Sequence, residues 1–104
     1  MAWAYLLLAG LFEVGWAVGL KASEGFTRFW PSAFTVVAMI VSLGLLGLAL
    51  RTLPLGTAYA VWTGIGAVGT VVVGMLWFGD ATTAARLACV ALILAGIVGL
   101  KVSA

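Results

Sequence analysis

The chain has 104 residues, 65% of them apolar, with only five basic and three acidic side chains and no histidine. Soluble domains carry about a quarter charged residues, so this composition excludes a water-soluble globular fold. A net charge of +2 spread over connecting segments also excludes the basic face that nucleic-acid binding requires.

Apart from Glu13, the charged residues Lys21, Glu24, Arg28, Arg51, Asp80, Arg86 and Lys101 mark off four apolar stretches. The expected spans are 2–21, 30–50, 54–78 and 83–101, each near the ~20 residues that cover a hydrocarbon core. Backbone polar groups in lipid need partners within their own segment, so the spans must be helices. Continuous apolar runs of this length exclude a β-barrel, whose strands alternate over about ten residues. The expected fold is all-α and integral to the membrane, a single four-helix domain over 1–104.

The first span is not a signal peptide: it lacks a basic start, carries Glu13, and three more spans follow it. Glu13 falls about 18 Å along this helix at 1.5 Å per residue, near the bilayer midplane. A carboxylate there costs several kcal/mol, and no Lys or Arg shares any span's centre to offset it. It must be protonated or paired with a cation from outside the chain. One carboxyl cannot favourably hold both, and that competition is the minimal requirement for exchanging a cation against protons. The bland alternative is a permanently neutral Glu bonded to a neighbouring helix. Gly10, Trp16 and Ala17 lie beside Glu13 at helical spacing. Trp16 sits far from the interfacial aromatic belt, so its indole N–H needs a partner, and Glu13 is the obvious one.

In the second span, Pro31 falls in the first turn, where a missing N–H costs nothing. Ser42 is one of the few hydroxyls at mid-span; by itself such a serine usually bonds its own helix backbone. The third span begins at Pro54 and places Tyr59, Trp62 and Thr63 near the depth of Glu13. Trp and Tyr faces attract cations once water is excluded, although both residues could simply pack against lipid or a helix. Gly64-Ile65-Gly66-Ala67-Val68-Gly69 matches the dinucleotide fingerprint by letter, but that motif needs a strand–turn–helix setting and here lies inside an apolar helix. Gly64 and Gly66 instead suggest a helix bend or the close approach of a neighbour. Gly15-xxx-Gly19 and Ala95-xxx-Gly99 have the spacing of helix contacts. The lone Cys89 implies neither a disulfide nor a metal site, no cofactor is implied, and no nucleophile–base pair suggests an enzyme.

With four spans, Arg51 and Lys101 lie on one side and Lys21, Arg28 and Arg86 on the other. A difference of three against two is too small to fix orientation by the positive-inside rule. We read this as a chain that inserts both ways, so that two copies pair antiparallel and reproduce the inverted repeat of larger transporters.

The chain resembles the small multidrug resistance family along essentially its full length. The resemblance rests on Glu13, on Lys21-Ala22-Ser23-Glu24-Gly25-Phe26-Thr27-Arg28, on Pro54-Leu55-Gly56-Thr57-Ala58-Tyr59-Ala60-Val61-Trp62 with Gly64-Ile65-Gly66, and on Leu94-Ala95-Gly96-Ile97. It implies an antiparallel, dual-topology homodimer in the bacterial inner membrane that exports cations by alternating access in exchange for protons. The shared site would map to Glu13, Tyr59 and Trp62, with Gly10 beside it, and Leu94, Ala95 and Gly96 would contribute to the dimer contact. Trp16 and Met39 stand where the multidrug branch has a small residue and a Tyr, whereas Glu13-Val14-Gly15-Trp16-Ala17, Ser42 and Lys101 are similar to the guanidinium exporter branch, in which Trp16 and Ser42 would hydrogen-bond the glutamates. A forked guanidinium suits paired carboxylates. Small substituted guanidinium or alkylammonium ions fit the same description. Two alternatives stay open: a promiscuous exporter of quaternary ammonium compounds, and a small cation channel or helper subunit. Lys101 has no evident physical role.

Overall fold

The computed structural model describes residues 1–103, which form four helices with no strand among the described residues. These are α1 (Ala2–Ala22), α2 (Phe29–Ala49), α3 (Leu55–Trp77) and α4 (Ala84–Ser103). All four are long and apolar enough to cross a membrane. At 1.5 Å per residue each is about 30 Å long, the thickness of the hydrocarbon core.

Local chemistry explains where the helices stop. Pro31 is the third residue of α2, and Pro54 immediately precedes α3, so neither removes an intrahelical bond. The α1–α2 connection winds around buried Ser23. Its hydroxyl donates to the Leu20 carbonyl at 2.7 Å and accepts the Phe26 N–H at 3.0 Å. The Thr27 and Arg28 N–H groups close onto the Ser23 carbonyl at 2.9 and 3.1 Å. Three successive residues, Glu24, Gly25 and Phe26, take φ values of 51°, 74° and 66°, and only the glycine does so without steric cost. At the end of α3, Gly79 at φ 71° turns the chain so that the Phe78 and Asp80 N–H groups both donate to the Gly74 carbonyl.

Helix α1 is the centre of the assembly. It lies along α2 and α3, while α2 barely touches α3 and α4 packs chiefly on α3. Glycines set how closely α1 approaches each neighbour. The Phe34 ring of α2 lies over Gly15 and Gly19. Along the parallel α1–α3 seam, Ile65 fills the space over Gly10, Glu13 the space over Gly66, and Val14 the space over Gly69. Ala95-xxx-Gly99, by contrast, makes no such contact within the chain: nothing lies within 4 Å of a Cβ built on Gly99.

The interior is uneven. Leu6, Ala9, Leu46, Ala49, Ala58, Val61 and Trp62 form a tight apolar cluster. These residues come from the start of α1, the end of α2 and the start of α3, so the tightest packing lies toward the end that holds Met1 and Arg51. Grooves open on the surface of the bundle at both ends. The whole is a slab of 41 × 34 × 16 Å, too thin for one chain to enclose a chamber.

Candidate functional site

Glu13 sits on the α1–α3 seam with its carboxyl against Gly66. A Cβ on Gly66 would fall on the carboxyl itself, so only glycine leaves room for this side chain. Glu13 Oε1 is buried and has no hydrogen-bond partner among the described residues. The carboxyl borders an open groove of about 370 Å³, whose polar lining comes from Glu13, Thr63, Thr70, Asp80 and Arg86. A smaller cavity of about 140 Å³ shares Thr70 and Asp80 with it and reaches Lys21 and Phe78. There the Lys21 ammonium stands 6.0 Å from the centre of the Phe78 ring. Polar side chains thus line cavities both beside Glu13 and at the Lys21 end of the bundle, with Thr70 and Asp80 bordering the two.

A second polar feature lies one helical turn from Glu13. Buried Ser42 of α2 donates to the Ala9 carbonyl of α1 at 2.7 Å and accepts the Trp62 indole N–H of α3 at 3.0 Å. Three helices are thus joined through one hydroxyl. In a regular α-helix the Ala9 carbonyl also receives the backbone N–H of Glu13, so the clasp is tied to the backbone that carries the carboxyl. Both structural bonds differ from the sequence expectations. Ser42 does not bond its own helix, and its only proton goes to Ala9 rather than to Glu13.

Trp16 also departs from expectation. Its indole nitrogen is buried but has no hydrogen-bond partner among the described residues, and the Glu13 carboxyl lies against Gly66 instead. Trp62 is buried and its N–H is committed to Ser42, whereas Tyr59 is 55% exposed and meets Trp62 edge-on with ring centres 5.5 Å apart. Gly10 is buried under Ile65, and Gly64 receives Ile93 and Ile97 of α4. Leu94, Ala95 and Gly96 are exposed on the chain's outer surface. Of the expected residues, the structure brings Glu13 to Gly66 and Ser42 to Trp62; it does not bring Trp16 or Tyr59 into the groove.

The groove also contains residues that the sequence reading left aside. Thr70 continues the Gly66 face of α3 at i+4, a signal that was available from spacing. Asp80 and Arg86 read as loop charges, and nothing in the sequence placed them with Glu13. Among the described residues, no group of three or more His, Cys, Asp or Glu side chains could hold a metal ion. Lys101, without a role in the sequence, lies 5.6 Å from the Trp3 ring centre, where a cation and an aromatic face attract.

Comparison with known proteins bears directly on this geometry. The family described as Small Multidrug Resistance protein matches residues 1–93. A protein named guanidinium exporter from Citrobacter freundii is 59% identical over 103 residues, covering 99% of this chain and 98% of the relative. One of the same name from Salmonella typhimurium strain LT2 is 57% identical over 104 residues, covering 100% and 99%. Another from Escherichia coli O6:H1 is 58% identical over 103 residues, covering 99% and 98%.

Proposed function

Because the chain belongs to the small multidrug resistance family, we propose that it exports guanidinium in exchange for protons, working as an antiparallel pair of identical copies. It is a multi-pass protein of the bacterial inner membrane. The observation that carries the reading is Glu13: it is the only acidic residue within the central part of any span, and one of its oxygens is buried beside an open groove without a partner among the described residues. Such a carboxylate is tolerated in lipid only when a proton or a cation neutralises it.

Guanidinium fits this role better than a compact ammonium does. It is planar, weakly hydrated and presents N–H groups in a fork that matches a carboxylate. The name shared by the closely similar relatives supports the same choice. A second copy, inverted in the membrane, covers the open side of the 16 Å slab and brings two Glu13 carboxyls to one chamber. The exposed Leu94, Ala95 and Gly96 of α4 supply contact between copies, and Tyr59 and the half-buried Trp16 ring become walls of the shared chamber. The near balance of Lys and Arg between the two sides supports insertion in both orientations.

Purified protein in liposomes tests this, with guanidinium-triggered current and internal pH recorded together for the unaltered chain and for Glu13→Gln. Coupled current and proton movement that vanish in the variant are expected. Silence with guanidinium but a response to tetra-alkylammonium ions transfers the chain to multidrug export. Current without proton movement makes it a channel, and robust proton-driven uptake by Glu13→Gln overturns the role of Glu13.

A further inference from the structure

The groove beside Glu13 already contains a guanidinium, that of Arg86. Its Nε is buried with no hydrogen-bond partner among the described residues, as is Glu13 Oε1, and the two side chains line the same cavity. Arg86 is the only cationic residue on that lining. A buried charged donor without a partner is costly, and an opposite charge in the same low-dielectric cavity draws it in.

A second carboxylate, Asp80, borders the groove as well. It is held in place: its N–H donates to the Gly74 carbonyl at 3.0 Å, and its carboxyl lies over the bare Cα of Gly74. The Arg86 backbone is also fixed, since its N–H donates to the Thr83 hydroxyl at 3.3 Å in the first turn of α4. What remains free to move is the Arg86 side chain, a long flexible stem that lines the same groove as both carboxylates.

We propose that Arg86 is a tethered competitor for the cation site, holding the groove beside Glu13 when no substrate is bound and moving to Asp80 when substrate arrives. The proposal deepens the guanidinium-export reading and rests on it. A tethered group of the substrate's own chemistry balances the charge of the empty site and yields to a free cation that binds Glu13 more fully. Asp80 sets that balance by offering Arg86 an alternative partner. Arg86 is thus a residue that tunes affinity without contacting the substrate in the loaded state.

The test is guanidinium binding to the full-length protein in detergent, by calorimetry, for the unaltered chain, Arg86→Gln, Arg86→Lys, Asp80→Asn and the double variant Asp80→Asn/Arg86→Gln. Removing the competitor in Arg86→Gln is expected to tighten binding severalfold, and Arg86→Lys, which keeps the charge, to stay nearer the unaltered value. Asp80→Asn is expected to weaken binding severalfold, because Arg86 then has only Glu13 to pair with. In the Arg86→Gln background the same Asp80 change is expected to do nothing, a dependence that a merely structural role for either residue does not produce. Unchanged or weaker binding in Arg86→Gln overturns the proposal, as does an Asp80→Asn effect that persists without Arg86. If Arg86→Gln does not fold, unaltered affinity in Asp80→Asn alone overturns it. Absence of guanidinium binding by the unaltered chain overturns the reading of function, and this proposal with it.

Discussion

The Glu13 carboxyl occupies the space that a side chain on Gly66 would take. The depth of the carboxyl in the seam between α1 and α3 is therefore set by a missing methyl group on the facing helix. Gly66→Ala is expected to force the helices apart or to push the carboxyl out, at an overpacking cost of about 1–3 kcal/mol. Guanidinium affinity in that variant should fall at least about tenfold, equivalent to about 1.4 kcal/mol. Calorimetry and thermal unfolding of the same preparation check both numbers; full affinity in Gly66→Ala would show that the carboxyl does not work from this position.

Competition at Glu13 has a definite sign with pH. On the proposed function protons and guanidinium share one carboxyl, so each must weaken the other's binding by the same factor. In the range where Glu13 takes up its proton, apparent guanidinium affinity should fall as pH falls, by about tenfold per unit for one competing proton. Binding isotherms across pH measure the slope. A flat profile in the range where the protein transports would separate the cation site from the proton site.

Ser42 joins α1 to α3 through one hydroxyl. Ser42→Ala strands the Trp62 N–H and removes a second acceptor's partner, and is expected to cost about 1 kcal/mol. Trp62→Phe already removes that donor, so the double variant should lose less than the sum of the two. Equilibrium unfolding in mixed micelles gives the cycle; strictly additive losses would mean that the bond contributes nothing.

Two glycines should respond in opposite directions. Gly25 takes φ 74° in the α1–α2 turn, whereas Gly47 lies within α2 with nothing within 4 Å of its added Cβ. Gly25→Ala is expected to destabilise by about 1 kcal/mol through left-handed strain. Gly47→Ala should stabilise by about 0.5–1 kcal/mol through helix propensity. Thermal unfolding of the two variants side by side decides, and a stabilised Gly25→Ala would contradict the turn geometry.

The four helices were legible in the sequence because charges and prolines bound each apolar run, and backbone chemistry in lipid allows little else. Glu13 was legible for the same reason: one acid within a span stands out against an apolar background. Its surroundings were not. A helix apolar on every side carries no periodic signal of which face turns inward, so nothing pointed Ser42 at Ala9 or turned Tyr59 outward. The glycines of α3 announced that something comes close, but not that the visitors are Glu13 at Gly66 and Ile97 at Gly64. Asp80 and Arg86 escaped notice because they are distant from Glu13 in the chain and meet it only through the turn at Gly79.

Helix α4 has no buried residue and packs chiefly on α3. Ala9, Ser42 and Trp62 all precede α4 in the chain, and the bonds between them use none of its residues. The first three helices can thus engage one another without the fourth. A chain truncated before Ala84 and released into the membrane is expected to cross-link between cysteines placed at positions 9 and 42, and absence of that cross-link would show that α4 is needed first. On the proposed function, α4 is then free for pairing: the surface offered to a second molecule is the one that the first molecule's own interior uses least.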